Sequence, residues 1–217
     1  MQRERFCEGL ARGLQRLDLP ADAQVIERLA DYAGMVLSWS RSYNLVAAGD
    51  LDALLDRHFL DSLCIHPFIR PPTLLDVGSG AGFPGLPLAL ARPDLQVTLL
   101  DSSGKKVRFL RHVIRTLGLA NVQTVEARVE SFRPADGFAT ITSRAFASLR
   151  EFMDRIRHLL APGTRVLALK GRKPDRELSE LPAWVRVEAV ERIIVPDLHA
   201  ERHLVMMSLS RPENPQD

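Results

Sequence analysis

Residues 76–85 read DVGSGAGFPG. An apolar run, Thr73-Leu74-Leu75, precedes them and reads as a buried strand. Gly78, Gly80 and Gly82 fall at alternate positions. A residue without a Cβ tolerates φ > 0 and lets a ligand come close to the backbone. A helix-compatible apolar stretch, Leu86 to Ala91, follows. Strand, glycine turn and helix in that order is where an open α/β sheet binds a nucleotide-like ligand.

The residues around the turn narrow the ligand. A P-loop needs Lys-Ser/Thr after its last glycine, and Phe83-Pro84 stands there instead. Gly80, Gly82 and Gly85 come close to the G-x-G-x-x-G of a dinucleotide loop, so NAD stays open on the glycines alone. Asp76 favours S-adenosylmethionine. Acid-x-Gly-x-Gly-x-Gly resembles the first motif of Rossmann-like methyltransferases, and a carboxylate there suits a cationic ligand better than a pyrophosphate. Asp101, ending the apolar run Leu99-Leu100, is placed to hold a ribose diol, a feature shared with NAD proteins. A glycine turn with Asp76 capping the next helix is the bland alternative.

Outward from the loop, strands are expected at 73–77, 96–100, 122–126, 138–142 and 164–170, and helices near 85–91, 104–117 and 147–160. The alternation implies a parallel sheet covered on both faces. Segments 184–195 and 203–210 read as a final antiparallel hairpin at its edge. Upstream, Leu10, Leu14 and Leu17 space as one helix face, and Val25, Ile26, Leu29, Tyr32, Ala33, Val36 and Leu37 repeat helically over 22–39. Asp22 is placed to cap that helix. A turn around Arg41–Asp50 leads to a third helix over 51–66, ended by Pro67 and Pro71-Pro72. The expected division is a helical extension over 1–70, a Rossmann-like domain over 71–211 and a polar tail over 212–217.

Composition narrows the class. The chain has 217 residues, 46% of them hydrophobic, enough for a full core. The opening MQRERFCEGL carries charges without an apolar signal core, and no stretch approaches the ~18 apolar residues of a membrane span. Cys7 and Cys64 are far apart and no His/Cys group has zinc spacing. A cytoplasmic protein with free thiols and no metal is expected. The net charge of +2 is uneven: residues 1–61 carry −3, 101–116 carry +4, 144–176 carry +6 and 177–217 carry −4. Two basic segments in an otherwise acidic chain suit a polyanion.

An ordered set of segments now points further. Trp39 with Tyr43-Asn44-Leu45, Arg57-His58, Asp61-Ser62, DVGSGAGFPG, LLDSSGKKVRFL at 99–110, RVE at 128–130, SRAFA at 143–147, LKG at 169–171 and ERHL at 201–204 resemble the RsmG (GidB) family of bacterial methyltransferases of small-subunit ribosomal RNA. The resemblance runs from about Trp39 to Leu209. Val46 departs from it, standing where relatives often carry Thr. It implies a class I S-adenosylmethionine-dependent methyltransferase fold, a mostly parallel seven-stranded sheet with an N-terminal helical extension. It implies methylation of N7 of guanosine 527 in 16S rRNA, with S-adenosylmethionine as donor. The partner is 16S rRNA in the small ribosomal subunit or an assembly intermediate, and a monomer is the default.

The family's cofactor site carries over to Gly78, Phe83, Val129, Glu130 and Arg144; Asp76, Gly80, Gly82 and Asp101 join it from the residues themselves. Arg144, after the strand at 138–142, is expected to orient the methionine carboxylate or the target base. Guanine N7 has a lone pair and no proton, so no general base is expected and Arg144 acts by position and charge. Candidate RNA contacts are Tyr43, Asn44 and His58, then Lys105, Lys106 and Arg108, then Lys170, Arg172 and Lys173, and finally Arg202 and His203. His58 and Asp61, and likewise Arg202 and His203, read as acceptor-side or packing residues. Three rivals stay open: a methyltransferase for another RNA, protein or small molecule; an NAD-dependent oxidoreductase; and a non-catalytic RNA-binding protein.

Overall fold

A computed structural model describes residues 1–46, 50–144, 146, 148–198 and 200–210. The chain opens with α1 (Gln2–Arg16), which buries Phe6, Leu10 and Leu14. α2 (Ala23–Tyr43) starts where Asp22 Oδ1 accepts from Val25 N at 3.0 Å and stops at Asn44 in the left-handed region. The third helix is not continuous. A short α3 (Leu51–Leu54), capped by Asp50, runs into a π-helical stretch over Leu55–Leu60 and then α4 (Asp61–Leu63). The tail expected at 212–217, and part of the turn before Asp50, lie outside the described residues.

The second part alternates. β1 (Thr73–Val77), α5 (Gly85–Ala91), β2 (Gln96–Asp101), α6 (Gly104–Leu117), β3 (Val122–Glu126) and β4 (Thr140–Ser143) come first. α7 (Leu149–Ile156), β5 (Arg165–Lys170), α8 (Asp175–Ser179), β6 (Val185–Arg192) and β7 (His203–Leu209) complete the chain. One seven-stranded sheet has the order β3-β2-β1-β4-β5-β7-β6. The first five strands pair in parallel, and β7 pairs antiparallel with both β5 and β6. The expected Rossmann-like sheet and edge hairpin are therefore both present.

Strand periodicity divides the core. Leu74, Val97, Leu99 and Leu167 face one side; Leu75, Val77, Leu100, Ile141 and Val166 face the other. The first side is continuous with Phe6, Leu29, Tyr32 and Phe59, so the extension shares one hydrophobic cluster with the sheet. Val46 packs against this cluster, an apolar role at the position that departs from the family pattern. On the second side α7 covers β1, β4 and β5. Over β2 and β3 the cover is thinner. Between β3 and β4 the chain forms a single 3-10 turn, Val129–Ser131, ahead of Pro134, Asp136 and Gly137, and a groove of about 490 Å3 remains beside Thr98 and Gln123.

Candidate cofactor and acceptor site

The turn after β1 is held from two directions. Gly78 N and Ser79 N donate to Leu100 O at 2.8 and 3.1 Å, tying the loop to β2. Gly80 N donates to Asp101 Oδ2 at 2.9 Å. From the extension, the Tyr32 hydroxyl donates to Ala81 O at 2.5 Å. Gly78, Gly80 and Gly82 all have positive φ, at 71°, 60° and 102°. At Gly82 a Cβ would also stand 2.4 Å from Leu86 Cδ1 and 2.9 Å from the Tyr32 oxygen. Glycine is required there by both backbone and neighbours.

The capping reading of Asp76 finds a place. Its Oδ2 accepts from Gly85 N at 3.0 Å, capping the start of α5. Its Oδ1 is buried and has no hydrogen-bond partner. Burial pushes the carboxyl up to about 7, against the opposing Gly85 amide and Arg144 charge. A buried acceptor left unpaired is costly. An ammonium brought to this point would both satisfy it and favour its charged form, which is what an amino-acid ligand supplies.

A cleft of about 230 Å3 opens beside the loop, bounded by Gly78, Asp101, Val129, Glu130, Phe146 and Arg155. Whole small-molecule sites span roughly 300–1,000 Å3, so this volume suits the nucleoside part of a larger ligand. The structure thus brings Gly78, Asp101, Val129 and Glu130 together. Asp101 Oδ1 accepts from Ser103 N at 2.8 Å, with the Lys106 ammonium 3.8 Å from Oδ2. Each oxygen keeps a second lone pair for a ribose hydroxyl. The Glu130 carboxylate is ion-paired with Arg155 of α7, which also binds Glu151 at 2.7 Å.

Phe83 is not among the walls of that cleft. It is almost fully buried against Tyr32, Phe59 and His58, with ring centroids 5.5, 5.4 and 5.0 Å away. Its apolar role is to seat the loop on the extension. The Arg144 guanidinium lies 5.9 Å from its ring centroid, a cation–π contact. Asp101, the unpartnered Asp76 Oδ1 and the Arg144 guanidinium, carried on three different strands or strand ends, surround the glycine loop, and their chemistry suits S-adenosylmethionine.

Arg144 is fastened by one segment of the extension. Its Nη2 lies 3.3 Å from Asp61 Oδ2, its Nη1 donates to Ser62 Oγ at 3.1 Å, and Nη2 also reaches Arg57 O at 3.4 Å. Asp61 Oδ1 takes Arg202 Nε at 2.5 Å. Asp61 thus binds both Arg144 and Arg202. Arg202 reaches Asp61 and not His203, whose Nδ1 is buried without a partner. The His58 ring packs on Phe83, and burial with Arg144 and Arg57 nearby lowers it to about 4.

The basic candidates divide. Lys105 and Arg108 are exposed on α6, and Lys106 is half-buried beside Asp101. α2 runs antiparallel to α6: Arg28 reaches Leu117 O, and Trp39 packs on Phe109 and His112. Exposed Tyr43, stacked on Trp39, and Asn44 thus stand at the same end as Lys105 and Arg108. Arg172 is exposed, and exposed Lys173 pairs with Asp175. Lys170 is a correction: its side chain is only 14% exposed and its ammonium lies 2.7 Å from Glu177 of α8. It braces the loop after β5 and does not present a charge to phosphate. Within SRAFA, Ala145 and Ala147 lie outside the described residues.

Tyr32, Ser62, Phe146 and Arg155 were not singled out for the site in the sequence. The Asp61-Ser62 and SRAFA segments of the family set, which contain Ser62 and Phe146, were the signals toward two of them. Phe146 stacks on Phe152 at 4.9 Å and closes the cleft on the α7 side.

Known proteins agree with this geometry. The family described as rRNA small subunit methyltransferase G (GidB) matches residues 25–205. A Ribosomal RNA small subunit methyltransferase G of Stutzerimonas stutzeri is 46% identical over 206 residues, covering 94% of this chain and 96% of that protein. One of Chromobacterium violaceum is 47% identical over 201 residues, covering 92% and 96%. Among solved structures, the glycopeptide N-methyltransferase MtfA complexed with S-adenosyl-L-methionine aligns with a TM-score of 0.60 at 12% identity, over 71% of this chain and 88% of that one. TrmN from Thermus thermophilus aligns with a TM-score of 0.55 at 19% identity, over 72% and 53%. These two alignments establish the fold, class I methyltransferase. By its match over most of its length, the chain belongs to the GidB family, rRNA small subunit methyltransferase G.

Proposed function

We propose that this chain transfers a methyl group from S-adenosylmethionine to N7 of guanosine 527 in 16S rRNA. Its family makes it an S-adenosylmethionine-dependent methyltransferase, and the name its relatives carry supports small-subunit rRNA as the acceptor. The observation that carries the donor assignment is the buried, unpartnered Oδ1 of Asp76 beside the glycine loop. The bound cofactor supplies a sulfonium methyl group. Asp101 and the Val129–Glu130 turn hold the nucleoside, Asp76 receives the amino group, and Arg144 meets the carboxylate.

Guanine N7 is an unprotonated nucleophile, so the chain need not remove a proton. Its residues contribute alignment and a fitted electrostatic surface. His58, lowered to about 4, stays neutral at physiological pH and adds no cation beside the site. Tyr43, Asn44, Lys105 and Arg108 form the RNA-facing patch, with Arg172 and Lys173 on the far side of the site. Among the described residues no helix is long and apolar enough to cross a membrane, and no group of His, Cys, Asp and Glu could hold a metal. The proposed setting is the cytoplasm, with the protein acting as a monomer on the small subunit or an assembly intermediate.

The test is transfer of a labelled methyl group by purified protein to small subunits, and to naked 16S rRNA, from cells lacking it. Label recovered as 7-methylguanosine at position 527 supports the reading. Label at another base, or only on protein, overturns it.

A further inference from the structure

The Asp61 carboxylate is the least expected component of the site. It is almost fully buried, with a side chain 3% exposed, and it belongs to the extension rather than to the sheet. Two guanidiniums from distant points of the chain converge on it at one edge of the sheet. Arg144 follows β4 and Arg202 precedes β7. Burying one carboxylate between two cations is costly unless the geometry is tight, and removing one partner leaves the others uncompensated. The Asp61 main chain is also engaged, accepting from the Cys64 thiol.

The local backbone explains the aim. A π-helical stretch, Leu55–Leu60, ends at Asp61. Such stretches are rare and occur mostly at functional sites. It places His58 on Phe83 and, a few residues on, Asp61 and Ser62 on Arg144. Ser62 Oγ in turn donates to His58 O at 2.5 Å. The contacts on the Arg144 fork from Asp61, Ser62 and Arg57 O come from one six-residue segment.

We propose that Asp61 is a positioning residue, which holds the Arg144 guanidinium over the glycine loop so that it meets the carboxylate of the cofactor's amino-acid part. This rests on the S-adenosylmethionine reading above. A guanidinium free to rotate loses pre-organisation for planar, bidentate carboxylate recognition. Asp61 contributes without touching the ligand, and the nucleoside half of the site, at Asp101 and Val129, does not depend on it.

The test uses two probes in isothermal titration. S-adenosylhomocysteine has the amino-acid part; 5′-methylthioadenosine keeps the nucleoside and lacks that part. Asp61→Asn should weaken S-adenosylhomocysteine by roughly tenfold or more and leave 5′-methylthioadenosine unchanged. In an Arg144→Ala background, Asp61→Asn should add nothing further. Equal losses for both probes, or a full additional loss in the Arg144→Ala background, would assign Asp61 to the fold alone and overturn the proposal. Unchanged S-adenosylhomocysteine affinity with a raised KM for small subunits would overturn it too. If Asp61→Asn melts out, Ser62→Ala carries the same contrast at about threefold, the loss of one hydrogen bond. Failure of the wild-type chain to bind S-adenosylhomocysteine would instead refute the cofactor reading itself.

Discussion

The two sides of the site are built differently. On the sheet side, Asp76, Gly78, Gly80, Gly82 and Asp101 sit at the ends of two adjacent strands, joined by hydrogen bonds within about 25 residues of chain. On the extension side, Tyr32, Asp61 and Ser62 reach partners 49 to 141 residues away. The sheet side is a motif; the extension side is a set of long-range contacts with no contiguous signature. Donor binding can therefore be read locally, whereas the grip on Arg144 exists only after the chain folds.

That contrast can be broken first at its seam. Gly82→Val adds a β-branched side chain at φ 102° and drives it into Leu86 and Tyr32. A loss of about 4 kcal/mol in unfolding free energy is expected, with no measurable cofactor binding. Near-native melting with intact binding would show that the two sides do not meet there as described.

The sheet side is tested next by Asp101→Ala. It removes the acceptor for Gly80 N and Ser103 N together with the proposed ribose contact. S-adenosylhomocysteine affinity should fall about a hundredfold by titration, ~2.7 kcal/mol. A loss below threefold would detach Asp101 from the nucleoside.

Asp76 gives a pH signature of smaller size. Its folded pKa, about 7, lies above the ordinary carboxylate value. The folded chain holds this proton more tightly than the unfolded chain, so Asp76 lowers stability as pH rises from about 4 to 7 and adds no slope above that. Cofactor binding prefers the charged carboxylate. Affinity should therefore rise roughly tenfold between pH 6 and pH 8 and then level off. Asp76→Asn should abolish that rise; a flat profile in the wild-type chain would remove the ammonium contact.

Tyr32→Phe should do least. It deletes the hydroxyl that binds Ala81 O and leaves a buried carbonyl unpaired. A stability loss of about 1 to 2 kcal/mol is expected, with a several-fold loss of cofactor affinity through a looser loop. An unchanged affinity would make the extension a passive support for the loop.

Much of the fold was legible because its signals are local. The apolar runs at 73–77 and 96–100, the glycine turn and the helical spacing over 22–39 each specify their own element. The π-helical stretch was not legible, since hydrophobic spacing in 51–63 fits an α-helix equally well. α8 was missed because five residues are too few for a period. In the site, Lys170 read as a surface cation because its partner Glu177 lies on that unseen helix. Asp61 was visible as a residue but not as a hub, for nothing in residues 57–62 indicates that Arg144 and Arg202 converge there.

The most direct measurement is mass-spectrometric mapping of 16S rRNA from cells that lack the chain, carry it, or carry Arg144→Ala at equal abundance. 7-Methylguanosine at position 527 is expected with the wild-type chain, none without it, and little with the folded Arg144→Ala variant. Wild-type methylation by that variant, or identical maps in all three, would contradict the proposed function.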